Sequence, residues 1–182
     1  QIWMAMTMLD SNRAKSILSK KTNKNISDIT NMIIWGNHSP TMYPDSENAF
    51  ISGQKGSDLI NDMEWIESDF LPSVQQRGKA VIDARGASSA TSAAKAAIDT
   101  VMACETPTDH GDCFSAAIAS DGAYGVPEGL ICGYPLMTLE NGSIEIKRDL
   151  SLSEFALSKF QISIDELVSE RDAVKHLSLI HI

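Results

Sequence analysis

Three side chains near the start of the chain have the types that acid–base chemistry on a carboxylate substrate requires. Asp10 and Arg13 are three residues apart, a spacing that places both on one face of a helix. His38 follows a short apolar run and can exchange a proton near neutral pH. An aspartate beside a histidine fixes its tautomer and stabilises its protonated form, and an arginine binds a carboxylate with two hydrogen bonds. By spacing alone a surface ion pair and an unrelated loop histidine are favoured, because single Asp, Arg and His residues are common.

Two predicted elements position these side chains. The segment Met4–Lys20 has apolar residues at helical spacing, so we predict a helix that carries the acid and the arginine. The apolar run Met32–Gly36 predicts a buried strand that presents the histidine just beyond its end. The polar segment Asn37–Asp45, which contains two prolines, is predicted to be a loop.

The middle of the chain is predicted to be helical. Apolar residues within Asp62–Arg85 indicate a long helix or a helix pair, in which Pro72 marks a kink or a restart. The alanine-rich segment Ser88–Met102 favours another helix, because alanine has the highest helix propensity. Either Ser88 or Ser89 could cap its first turn.

The composition changes in the second half of the chain. Phe114–Lys147 is rich in β-branched and aromatic residues, and Asn141-Gly142 predicts a hairpin because both residues tolerate positive φ. A weaker hairpin is expected around Gly53–Gly56, and a final helix over Ser163–Leu179. Helices, then a mostly antiparallel sheet, then a closing helix make an α+β domain.

Composition and charge exclude several classes of protein. The net charge is −9, which argues against nucleic acid or an anionic membrane surface as a partner. The cysteines are three, too few and odd in number for a disulfide framework, so we expect reduced thiols in the cytoplasm. No apolar run approaches the roughly 20 residues that a membrane-spanning helix needs. The chain begins with Gln1, so we interpret it as starting inside a larger protein.

Two other constellations compete with the trio. Cys104, His110 and Cys113 form a Cys-x5-His-x2-Cys pattern, but this spacing fits no common zinc site, and we predict no metal. Ser39 follows His38 and invites comparison with hydrolases. Because no Gly-x-Ser-x-Gly turn is present, that interpretation is disfavoured.

Longer strings around the trio resemble one known family. Leu9–Ala14 followed by Asn31–Asp45 is similar to the catalytic segment of cytosolic-type malate dehydrogenases, in the lactate/malate dehydrogenase family. The resemblance covers most of residues 5–155. Further blocks that agree in the same order are Val74–Gly78, Ser88–Ala94 and Ser120–Leu130.

The resemblance implies a role for each candidate residue. His38 would be the general acid–base, Asp10 its orienting partner, and Arg13 the group that binds a carboxylate of malate or oxaloacetate. Ser89, or Ser88 in its place, matches a hydroxyl that lines the substrate and nicotinamide pocket. His38 and Ser89 would therefore also contact the cofactor, NAD or NADP. The intact enzyme would be a homodimer that acts on a small dicarboxylate.

One half of such an enzyme is missing from the sequence. No Gly-x-Gly-x-x-Gly follows a predicted strand, so the nucleotide-binding Rossmann half is expected to lie outside this chain. We interpret residues 1–182 as one C-terminal substrate-binding domain, with little dehydrogenase activity in isolation. The alternative is a non-catalytic binding or assembly module that retains the fold. Departures from the family pattern are found at Met8, at Gly86-Ala87 and in the tail His176–Ile182.

Overall fold

A computed structural model describes residues 2–178. In that range the α-helices are α1 (Met8–Thr22), α2 (Gly56–Leu59), α3 (Met63–Trp65), α4 (Leu71–Gln75), α5 (Arg77–Arg85), α6 (Thr91–Glu105) and α7 (Glu154–Ser178). The strands are β1 (Ile29–Thr30), β2 (Ile33–Trp35), β3 (Tyr43–Asp45), β4 (Phe50–Ile51), β5 (Gln54–Lys55), β6 (Phe114–Ala119), β7 (Ile131–Thr138) and β8 (Ile144–Ile146).

The strands form small antiparallel sheets with the orders β1-β4-β5, β2-β3 and β6-β7-β8. The helices pack around these sheets, with α1 against α6 and α7 against β3 and β7. This arrangement confirms the predicted α+β class. No helix within residues 2–178 is long and apolar enough to cross a membrane.

The first helix begins later than the sequence predicts. Its first residue is Met8 rather than Met4, because Ala5 pairs with Ala117 through two backbone hydrogen bonds of 2.8 and 2.9 Å. Helix α1 ends at Thr22, and Asn23 in the left-handed conformation closes it. The tertiary pairing of the N-terminal residues therefore overrides their helical spacing.

The predicted strand at Met32–Gly36 is confirmed as β2, but the predicted loop after it is partly wrong. Tyr43–Asp45 forms β3, antiparallel to β2 with Trp35 opposite Tyr43. A proline is tolerated here because β3 has β2 as its only partner in the described part of the chain, so the side without a hydrogen-bond partner can hold Pro44.

The predicted helix or helix pair over Asp62–Arg85 is interrupted at Pro72, where a kink or a restart was predicted. Between α3 and α4, Ile66–Phe70 forms a π-helical turn, in which the Leu71 N–H donates to the Ile66 carbonyl five residues back. Pro72 has no N–H and its ring crowds the carbonyl four residues earlier, so the helix widens before the proline and restarts with Pro72 in its first turn. The prediction that Ser88 or Ser89 caps the next helix is wrong, because Ala90 is the residue directly before α6.

Both predicted hairpins are confirmed, with one change of turn. β4 and β5 pair across Ser52-Gly53. In the β7–β8 hairpin the Gly142 N–H donates to the Leu139 carbonyl at 2.8 Å, and only Gly142 of the Asn-Gly pair has positive φ. The turn is therefore centred one residue earlier than a two-residue Asn-Gly turn.

The closing helix is longer than predicted. Helix α7 begins at Glu154, well before Ser163, and the predicted end at Leu179 lies outside the described residues. Its first half is buried through Ala156, Phe160 and Ile164. Val174, in the second half, is exposed, so the predicted apolar face is buried only at its start.

The core is centred on β2. Ile33, Ile34 and Trp35 are all fully buried, which explains their continuous apolar run, because both faces of the strand are covered. Trp35 contacts Tyr124 edge-to-face with ring centroids 4.7 Å apart. Gly133 on β7 has no Cβ, and a Cβ there would overlap the Ile34 carbonyl, so glycine permits β2 to cross β7 at close range.

Candidate active site

The first two turns of α1 hold the acid and the arginine. Asp10 is fully buried, and the Arg13 Nη1 donates to Asp10 Oδ1 at 2.8 Å. The helix N-terminus favours a negative charge at this position, and the i to i+3 spacing brings the guanidinium over the carboxylate. Burial of the carboxylate is thus compensated by a charged partner on the same helix.

His38 is presented by the end of β2. Gly36 has a φ of +88°, which glycine adopts without strain, and it pairs with Gly133 as an isolated bridge. The chain then turns through Asn37, and the His38 side chain emerges 56% exposed. The histidine is therefore held by a rigid strand while its ring stays accessible.

Buried hydrogen bonds join α1 to β2. The Ser11 Oγ donates to the Met32 carbonyl at 2.7 Å, directly before the strand. Ser115 on β6 lies between the two elements: its Oγ is 2.8 Å from Thr7 Oγ1 and accepts from the Ile34 N–H at 3.0 Å. These contacts determine how far the aspartate lies from the histidine.

The structure brings Asp10, Arg13 and His38 together as predicted. The His38 Nδ1 lies 2.9 Å from Asp10 Oδ2, and Arg13 contacts the other carboxylate oxygen. The His38 separation is that of a hydrogen bond, although no donor in the described part of the chain is well aligned with Oδ2. Rotation of the exposed imidazole aligns its Nδ1–H with this oxygen.

The electrostatics suit a proton carrier. The Asp10 carboxylate, by hydrogen bonding and by its charge, raises the pKa of His38 above its ordinary 6.5. Partial burial and the positive charge of Arg13 act in the opposite direction but do not outweigh Asp10. Because Nδ1 faces the aspartate, Nε2 is the ring nitrogen left to exchange a proton with a substrate.

Asp10→Asn is expected to lower the pKa of His38 below 6.5, because the groups that remain, burial and Arg13, both lower it. The raised pKa of the wild type means that the contact stabilises the fold below pH about 6.5, and that this contribution is lost as the pH rises through the folded pKa. The measurement is an NMR titration of the His38 ring protons, with Asp58→Asn as an exposed control. An identical His38 titration in wild type and Asp10→Asn would contradict the assigned contact.

Arg13 retains donors for a ligand. Its side chain is 16% exposed, and within residues 2–178 it donates only to Asp10. It also lines a cavity of about 1000 Å³ between α1, α4, α5 and α6. Neither Asp10 nor His38 lines this cavity, so it adjoins the trio through Arg13 and does not lie over the imidazole. We place the reacting atoms at the exposed His38, because proton exchange requires contact with the ring.

Ser89 is not in contact with the trio. It lies half-exposed in the loop between α5 and α6, next to the exposed Ser88, and makes no side-chain hydrogen bond to the trio within residues 2–178. Its role at a substrate or nicotinamide pocket stays a prediction.

The competing constellations do not form sites in the described part of the chain. No group of three histidine, cysteine or acidic side chains there is arranged to hold a metal. Cys113 is buried, and burial raises the pKa of its thiol. The Ser39 hydroxyl donates to Glu166 and not to the neighbouring imidazole, which does not fit a serine nucleophile.

The comparison with known proteins decides the family. The family described as lactate/malate dehydrogenase, alpha/beta C-terminal domain, matches residues 7–178. The chain belongs to the lactate/malate dehydrogenase family. A malate dehydrogenase from Cutibacterium acnes is 51% identical over 176 residues, which are 97% of this chain and 53% of that relative.

Solved structures of the lactate/malate dehydrogenase family agree. A crystal structure of malate dehydrogenase from Naegleria fowleri has a TM-score of 0.87 and 41% identity, covering 96% of this chain and 53% of that one. Lactate dehydrogenase from Trichomonas vaginalis, in complex with NADH and oxamate, has a TM-score of 0.88 and 27% identity, covering 97% and 55%. The chain thus spans about half the length of the relatives it matches, as the missing nucleotide-binding motif predicts.

The sequence did not reveal how the segment that carries His38 is held. Ser163 and Glu166 on α7 contact the residues on both sides of the histidine. No local pattern identifies them, because they lie at ordinary helical positions far along the chain. Only the approach of Gly36 to Ser163 in the folded chain brings them to the site.

Proposed function

We propose that this chain is the substrate-binding half of a malate dehydrogenase, which interconverts malate and oxaloacetate with NAD or NADP when joined to a nucleotide-binding half. Residues 1–182 would form one domain of a cytoplasmic homodimer. The observation that carries the proposal is the contact of Asp10 with both His38 and Arg13. Malate is favoured over lactate by the 51% identity to a malate dehydrogenase.

In this proposal His38 transfers the proton and Arg13 binds a substrate carboxylate. In malate oxidation the His38 Nε2 takes the proton of the substrate hydroxyl, and Asp10 stabilises the resulting imidazolium. Arg13 binds a substrate carboxylate through the donors it does not use for Asp10. In the reverse direction the protonated His38 donates to the carbonyl oxygen of oxaloacetate.

The chain would form only part of the cofactor-binding site. All strand pairs within residues 2–178 are antiparallel, so that region lacks the parallel βαβ unit of a dinucleotide site. The resemblance assigns the exposed His38 and the half-exposed Ser89 to the nicotinamide end. NAD, when bound, accepts the hydride, and these two side chains would contact its ring.

A chimera tests the proposal. We expect the chain to show little malate-dependent NAD reduction alone, and to restore it when it replaces the matching half of the Cutibacterium acnes malate dehydrogenase. The measurement is NAD(H) absorbance with malate and with lactate as alternative substrates. Turnover by the isolated chain would contradict the need for a separate nucleotide-binding half. A chimera that folds but is inactive would contradict the proposed malate dehydrogenase function.

Arg13→Ala in the chimera is expected to raise KM for oxaloacetate by about ten- to a hundredfold, because a charge-assisted hydrogen-bond pair to the substrate is lost. Arg77→Ala is the matched control, since Arg77 is exposed and lines the same cavity from α5. Equal KM values in wild type and Arg13→Ala would show that another cation binds the carboxylate.

The second candidate is an assembly module, favoured by an apolar face on α6. Ile98, Val101 and Met102 are each about 60% exposed and lie three or four residues apart. Such a face would pair with a second copy of the chain. An inactive chimera together with a dimeric chain in sedimentation would favour this candidate over the enzyme.

A further inference from the structure

The segment that carries His38 is bound mainly to the Glu166 carboxylate of α7, and its Asn37 Nδ2 also donates to Glu170 Oε1 at 3.1 Å. The Glu166 Oε2 accepts hydrogen bonds from Thr41 Oγ1 at 2.6 Å, from Asn37 Nδ2 at 3.0 Å and from the Ser39 hydroxyl. Three donors from one short segment thus converge on a single oxygen. They flank the histidine on both sides, so the segment is held against the helix around it.

The backbone before the histidine is held by the same helix. The Asn37 N–H donates to the fully buried Ser163 Oγ at 2.7 Å, and Thr41 Oγ1 lies 3.1 Å from that atom. A Cβ at Gly36 would overlap the Ser163 side chain, so glycine permits this approach. Ser163 and Glu166 are three residues apart and therefore share one face of α7.

Alternate side chains of residues 37–41 face opposite sides, so His38 faces α1 and not α7. Asn37, Ser39 and Thr41 point to α7, whereas His38 contacts Asp10 on α1. Burial acts to raise the pKa of Glu166, but the hydrogen bonds from the three donors outweigh it, so the pKa lies below its usual value. The carboxylate is therefore charged near neutral pH, and its hydrogen bonds are of the stronger, charge-assisted kind.

We propose that Glu166 is a positioning residue for His38: its carboxylate holds residues 37–41 on α7 and so keeps the imidazole at Asp10. Glu166 does not touch the ring, and its effect passes through the segment. The contribution to catalysis rests on the proposed function of His38, whereas the orientation of the ring can be measured without it.

Glu166→Ala is expected to move the pKa of His38 down towards 6.5, because a loosened segment weakens the contact with Asp10 that raises it. The measurement is an NMR titration of His38 in the full chain, with the other histidines as internal references. Asp165→Ala is the matched control: this neighbouring carboxylate is exposed and accepts only from Gln161 in the described part of the chain. A merely structural role for Glu166 would lower stability and leave the His38 titration unchanged.

A second variant keeps the test decisive if Glu166→Ala does not fold. Thr41→Val removes one donor to the carboxylate while retaining the branched shape, and it is expected to shift the His38 titration in the same direction by less. The proposal stands if either folded variant lowers the pKa of His38. It is overturned if His38 titrates as in the wild type in every variant that folds.

Kinetics of the chimera separate this proposal from the proposed function. In Glu166→Ala we expect kcat to fall about ten- to a hundredfold with a much smaller change in KM, because the acid–base is misplaced while Arg13 still binds substrate. If the wild-type chimera shows no malate-dependent turnover, the proposed function fails. The His38 titration in the chain still decides whether Glu166 orients the ring.

Discussion

His38→Asn is expected to lower kcat for malate oxidation by the chimera about 10²- to 10⁴-fold, which is the usual contribution of a positioned general base. Asparagine has a similar reach but cannot take up a proton. KM is expected to change little, because Arg13 and its contact with Asp10 remain. Steady-state kinetics with malate and NAD measure both constants.

The control for this substitution is His110→Asn, because His110 is exposed and far from the trio in sequence. It is expected to leave kcat unchanged. A His38→Asn chimera with kcat close to that of the wild type would show that another group carries the proton, and the Asp10–His38 contact would then be structural only.

The pH dependence of kcat/KM tests the assignment of His38 as the acid–base, because the two reaction directions need opposite protonation states. Malate oxidation needs neutral His38, so kcat/KM is expected to fall as the pH drops through the pKa of the ring, which lies above 6.5. Oxaloacetate reduction needs the protonated ring and is expected to fall as the pH rises through it. In His38→Asn both of these pH-dependent limbs are expected to disappear.

Asp45→Ala is expected to lower the free energy of unfolding by at least ~3 kcal/mol, because each buried donor left without a partner costs about 1–3 kcal/mol. Its Oδ2 accepts from Trp35 Nε1 at 3.0 Å and from Asn48 Nδ2 at 2.8 Å. Its Oδ1 accepts from the backbone N–H groups of Glu47 and Asn48 at 3.1 and 3.0 Å. The carboxylate is fully buried, so water cannot replace these bonds in the folded chain.

This loss is a large share of the roughly 5–15 kcal/mol that stabilises a typical domain. Urea unfolding followed by circular dichroism measures it, with Asp58→Ala as the exposed control of equal charge change. The control is expected to stay within about 0.5 kcal/mol of wild type. An Asp45→Ala chain as stable as the control would show that the four donors find other partners.

Elements with strong local signals could be predicted from the sequence. The Met32–Gly36 strand, the helix around Asp10 and the hairpin near Gly142 were all found, because apolar spacing and turn residues act over a few neighbours. Their boundaries were less accurate. The start of α1 shifted because Ala5 pairs with β6, a contact that no local pattern contains.

Elements that depend on distant partners could not be predicted. The sequence predicts a loop at Tyr43–Asp45 because the segment contains Pro44. Only its pairing with β2 makes it a strand. The kink at Pro72 is local and was predicted, but helix propensity does not describe the π-helical turn that accommodates the proline. Helix α7 starts well before its predicted first residue, since its packing against β3 and β7 adds stability that the sequence pattern does not show.

The sequence by itself identified Asp10, Arg13 and His38 as candidate site residues. Its longer strings also indicated the lactate/malate dehydrogenase family. It also determined that Asp10 and Arg13 share a helix face, because that geometry is local. The tertiary structure decided that His38 reaches Asp10 and that the residues around His38 are held by Glu166. Those contacts join segments distant in the chain, and they form only when a shared core brings the segments together.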